Sequence, residues 1–88
     1  MIFIRLSKLR KKATKEEAAD VAKIMEELAK EGVKVLSYYY TLGRYDTVVI
    51  IEAPDEKAAM KAGIMLGGIV ASETLVAVPR EEGMKLIE

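Results

Sequence analysis

Neither cysteine nor histidine occurs in these 88 residues. Disulfide staples, thiolate nucleophiles, imidazole bases and the commonest zinc sites are thereby excluded, so any chemistry falls to carboxylates, lysine, arginine, tyrosine, serine or threonine. Net charge is also lacking, because fourteen basic side chains balance fourteen acidic ones. Without it there is no overall field to draw the molecule to nucleic acid or to an anionic membrane. Long apolar runs are missing too: Arg5 interrupts the opening Met1-Ile2-Phe3-Ile4, far short of the about 20 residues of a membrane-spanning helix, and leaves no signal-peptide core. A soluble cytoplasmic protein is expected, with no metal and no cofactor.

What is present reads as one domain over residues 1–88. A chain of this size buries roughly 60–65% of its extended surface on folding, enough for a core but for only marginal stability alone. Met1–Ser7 alternates Ile2, Ile4 and Leu6 against Phe3, Arg5 and Ser7, as a strand does. Lys8–Ala13 is a charged connector, and the basic run Lys8–Lys15 lacks the aromatic interleaving of a nucleic-acid surface. Thr14 and Glu17 have the spacing of a capping box; after them Ala18, Val21, Ala22, Met25, Leu28 and Ala29 recur at helical spacing up to Gly32, a left-handed stop.

Val33–Leu42 and Thr47–Ala53 return to a period of two. Val33, Val35, Ser37, Tyr39 and Thr41 fall on one side of the first of them, and Lys34, Leu36, Tyr38, Tyr40 and Leu42 on the other. Both segments are apolar or aromatic on both sides, and Gly43-Arg44 between them fits a two-residue hairpin loop. Pro54 closes the second strand, Asp55 caps a helix over Lys57–Leu66 weakened by Gly63, and Ile69–Val78 is the last strand. A tail over Glu81–Glu88 is expected to dock through Met84 and Leu86 or Ile87.

This order is the split βαβ, an α+β ferredoxin-like βαββαβ plan. Right-handed crossovers place both helices on one face of a four-stranded antiparallel sheet, in the spatial order fourth, first, third, second. The other face is left bare. If Leu36, Tyr38, Tyr40, Val49, Ile51 and Leu75 lie there, each exposed large side chain forgoes about 1.5–3 kcal/mol of burial, a sum comparable with the net stability of a domain. A second copy related by a two-fold axis is the simplest cover. The pattern alone leaves open which alternating set faces outward.

Tyr40-Thr41-Leu42-Gly43-Arg44-Tyr45-Asp46, the apolar strand after it, Glu52-Ala53-Pro54-Asp55, the alanine-rich helix and Ser72-Glu73-Thr74-Leu75 together resemble the GYD-domain family, named for its Gly-x-Tyr-Asp signature. The resemblance extends from Met1 to about Arg80 and implies a subunit of the dimeric α/β-barrel type. The hairpin is more loosely similar to the ligand-sensing domains of Lrp/AsnC regulators, although no helix-turn-helix module accompanies it here. The implied subunit is also similar in shape to heme-degrading and antibiotic-biosynthesis monooxygenases, whose catalytic motifs are not matched.

Arg5, Tyr39, Tyr45, Asp46 and Glu73 are the candidate ligand-binding residues; no catalytic residue is assigned. Asp46 suits a ligand-binding carboxylate, while the ordinary task of Asp at such a place is to accept from turn amides and fix the hairpin. Tyr45 suits a ligand-positioning phenol or a ring packed across the strand pair. Tyr38, Tyr39 and Tyr40 point to alternating sides and so form no single stacking platform. Arg5 and Glu73 lie on strands that are neighbours in the proposed sheet, where an agreeing register makes them a cross-strand ion pair, with Ser72 or Thr74 nearby. The expected function is a small homo-oligomer, at least a dimer, holding a small polar or aromatic molecule near the subunit interface. The alternatives are a cofactor-independent monooxygenase-like enzyme acting on an aromatic substrate, and a purely structural interaction module.

Overall fold

The computed structural model describes residues 1–87. Its elements run β1 (Ile2–Leu9), α1 (Lys15–Ala29), β2 (Lys34–Tyr40), β3 (Thr47–Glu52), α2 (Glu56–Leu66), β4 (Val70–Ala77) and α3 (Arg80–Lys85). All three strand pairings are antiparallel, in the order β2-β3-β1-β4. The expected ferredoxin-like α+β topology is therefore the observed one.

Local chemistry accounts for the boundaries. Thr14 Oγ1 accepts the Glu17 amide at 3.1 Å and Asp55 Oδ1 accepts the Ala58 amide at 2.9 Å, each satisfying one of the free donors at a helix start. The chain leaves α1 through Gly32 at φ +88°, where a side chain would be strained and would also crowd the Pro54 ring at 3.3 Å. Between β2 and β3 the turn is wider than the expected two-residue loop. The Thr41 amide donates to the Asp46 carbonyl at 2.9 Å and the Thr41 hydroxyl to the Tyr45 carbonyl at 2.6 Å, so Leu42–Tyr45 form the tip, with Gly43 at φ +106°. Gly63 answers to no close approach, since a Cβ there would meet nothing within 4 Å.

Register decides which side chains share a face. One row across the sheet is Val35, Ile51, Phe3 and Val76; the next is Tyr38, Val49, Arg5 and Thr74; the third is Tyr40, Thr47, Ser7 and Ser72. These rows lie on the helix-covered side, where Phe3 and Ile51 pack with Leu28 of α1, Val33, Ala53, and Ala59 and Ala62 of α2 in the buried core. Strict alternation along β2 would set Val35 apart from Tyr38 and Tyr40. They share a face because the pairing with β3 slips by one residue between Val35 and Ser37, a bulge at Leu36.

That geometry corrects the expected interface set. Tyr38, Tyr40, Val49 and Ile51 belong to the covered side and Ile51 is 1% exposed, while Leu75 pairs with Ile4 on the opposite side. The bare face carries Ile2, Ile4, Leu6, Val48, Ile50 and Leu75, with Tyr39 in the same row as Val48 and Leu6. The tail does not dock as expected: α3 contributes no buried residue, and Leu86 and Ile87 are exposed. Glu88, at the end of the expected tail, lies outside the described residues.

Candidate functional site

The covered side packs around Phe3 and Ile51 at one end and opens into its larger hollow at the other. Near the row of Phe3 and Ile51 the layers meet, whereas toward Ser7 and Thr47 a cavity of about 380 Å³ separates the sheet from the first half of α1. Its helix wall is built from Thr14, Glu17, Ala18, Val21, Ala22 and Met25. Alanines project too little volume to reach the sheet, and a gap of this size departs from the close packing of protein interiors. Tyr38 and Tyr40 flank its opening on β2, an edge strand. Their rings are tilted at 50° with centroids 5.6 Å apart.

Arg5 forms the floor. Its residue is 4% exposed, and one guanidinium nitrogen, Nη2, donates to Ser72 Oγ at 2.6 Å. Nε is enclosed with no partner among the described residues. Burial pulls the Arg5 guanidinium below its ordinary range, the nearby Tyr38 opposing this weakly. Burial also raises the Tyr38 phenol, helped by Tyr40 and countered by Arg5. Glu17 supplies a second unsatisfied atom: Oε2 is enclosed without a partner among the described residues, and only the Thr14 half of the capping box is made.

The other sequence candidates stand elsewhere. Glu73 is opposite Leu6, and Arg5 is opposite Thr74, so Arg5 and Glu73 occupy opposite faces and form no ion pair. Glu73 instead accepts a hydrogen bond from the Tyr45 hydroxyl, which holds the phenol above its usual range. The Arg44 guanidinium carbon lies 5.6 Å from the Tyr45 ring centroid. Asp46 Oδ2 accepts the Leu9 amide at 2.7 Å while its own amide donates to the Ser7 carbonyl at 2.8 Å, tying the turn to the end of β1. Tyr39 is on the bare face. Of the five candidate ligand-binding residues, only Arg5 lines the cavity. Glu17, Tyr38 and Tyr40 join it there; Glu17 was legible only as a cap.

The turn that Asp46 ties to β1 carries the Gly43-Arg44-Tyr45-Asp46 sequence. A family model for the GYD domain matches residues 1–87. The chain belongs to the GYD-domain family. No curated protein sequence matches it. Among solved structures it is similar to an AsnC family transcriptional regulator from Agrobacterium tumefaciens, with a TM-score of 0.54 and 17% identity over 90% of this chain. The GYD-domain chain spans 52% of that regulator, and at this identity the likeness is one of fold. Among the described residues no helix is long and apolar enough to cross a membrane.

Proposed function

We propose that this GYD-domain protein binds a small molecule in the cavity between α1 and the sheet, and does so as a homodimer, without catalysing a reaction. The observation that carries the reading is the meeting of a hollow of about 380 Å³ with an enclosed, incompletely bonded arginine. Binding sites for small molecules are of this kind, mostly apolar with a few converging polar groups and volumes of about 300–1,000 Å³. An empty packing defect has no use for a buried guanidinium, whose desolvation is costly unless a partner arrives.

The homodimer is supported by the bare face. Ile2, Ile4, Leu6, Val48 and Ile50 are only half-buried there, and Tyr39 and Leu75 are 57% and 43% exposed. A second copy related by a two-fold axis covers such a face with itself. Native mass spectrometry of freshly purified protein tests both parts. A dimer carrying a small additional mass that is lost on denaturation is the expected result. A monomer at micromolar concentration overturns the assembly, and a dimer of bare polypeptide mass that shows no cavity shifts with any small probe overturns the binding function.

A further inference from the structure

We propose that the ligand is an amphipathic organic carboxylate bearing a hydrogen-bond donor: the carboxylate on Arg5, the apolar body between α1 and the sheet, and the donor directed to Glu17. This rests on the cavity being a binding site and adds the class of molecule it selects.

Two residues lining the cavity each carry an enclosed atom without a partner among the described residues, and the two atoms differ in kind. Arg5 Nε is a donor and Glu17 Oε2 an acceptor. A complementary molecule therefore needs both an acceptor and a donor. Guanidinium favours planar oxyanions, to which it presents parallel N–H groups. Ser72 takes one bond from Nη2, leaving the remaining N–H groups for a ligand. A phosphate dianion fits poorly, because among the described residues Arg5 is the sole cation lining the cavity and Glu17 lines it as well. Between these groups the wall is apolar, with Val21, Met25, Val49 and Leu66, which calls for a hydrocarbon or aromatic body. Tyr38 and Tyr40 at the mouth provide flat surfaces for such a body to pass.

The test is a titration of the isotopically labelled full-length protein, followed by amide and arginine side-chain NMR shifts, with four probes of similar size. These are 4-hydroxyphenylacetate, phenylacetate, the neutral alcohol 4-hydroxyphenethyl alcohol, and phenyl phosphate. The carboxylate is expected to shift Arg5 Nε–H and the amides of Val21 and Thr47, and to bind about tenfold or more tightly than the alcohol, as a charge-assisted bond implies. Arg5→Met removes that preference, and Glu17→Ala removes the advantage of 4-hydroxyphenylacetate over phenylacetate. The comparison of probes on the unmodified protein needs no variant, so a poorly folding substitution does not blunt it. Equal binding of carboxylate and alcohol in the cavity, or tighter binding of phenyl phosphate, overturns the ligand class and leaves the binding site standing. Absence of cavity shifts with every probe overturns both.

Discussion

The two ends of the layer between helices and sheet are made from the same elements and solve opposite problems. At the Phe3 end, Leu28, Val33, Ile51, Ala59 and Ala62 close around the ring and leave Phe3 at 2% exposure. At the Arg5 end the same β1 and α1 continue, but the residues on β1 turn from Phe3 to Arg5 to Ser7 and those on α1 from Leu28 to Ala22 and Ala18, and the layers separate. A filled end supplies cohesion, and an unfilled end has room for something else. The contrast teaches that close packing and open volume are divided along the length of one strand rather than between domains.

The largest effect should come from emptying the filled end. Phe3→Ala is expected to cost about 3–5 kcal/mol, read as a lowered midpoint in urea unfolding at fixed protein concentration. Small additions should then have opposite signs at the two ends. Ala53→Leu, at a position 2% exposed within the core, overpacks and loses about 1–3 kcal/mol, whereas Val21→Leu extends into the hollow and gains about 0.8 kcal/mol. A loss at both positions would mean that the hollow end is as tightly filled as the core.

Arg5→Met sharpens the comparison further. Removing a buried charge that, among the described residues, Ser72 alone satisfies is expected to stabilise the unliganded protein by about 1 kcal/mol, while removing the preference for a carboxylate. A mutation that raises stability and removes that preference separates the two tasks. The linkage has a definite sign: burial holds the folded pKa of Arg5 below its unfolded value, so the charge opposes folding throughout the neutral range and ceases to do so only in strong alkali.

Tyr45 offers the smallest effect and a control outside the layer. Its phenol is raised by the hydrogen bond to Glu73, so that contribution to stability is complete below about pH 10, the unfolded value, and is lost as pH climbs through the folded one. Tyr38 is raised mainly by burial. In an ultraviolet titration, Glu73→Gln should return Tyr45 toward the ordinary tyrosine range and leave Tyr38 late; movement of both would join the turn to the hollow end.

Element order and sheet topology were legible because each rests on short-range signals: Thr14 and Asp55 before helices, Gly32 after one, and a chain order that right-handed crossovers convert into a unique strand order. Faces were harder. Val48 and Ile50 are as apolar as Val49 and Ile51, so alternation could not tell covered from bare, and nothing in Val35-Leu36-Ser37 marks the bulge that sets Tyr38 and Tyr40 beside Val35. Arg5 stands out as a polar exception in an apolar strand, but the register sets its expected partner Glu73 against Leu6. The hollow itself had no motif. It follows from alanines on a helix whose distance from the sheet only three-dimensional packing determines.

The slip at Leu36 reaches beyond the tyrosines it reorients. β2 is an outer strand, and outer strands offer rows of free amides and carbonyls on which foreign chains can extend a sheet sideways. A kink part-way along interrupts that template and so disfavours open-ended lateral growth from this edge.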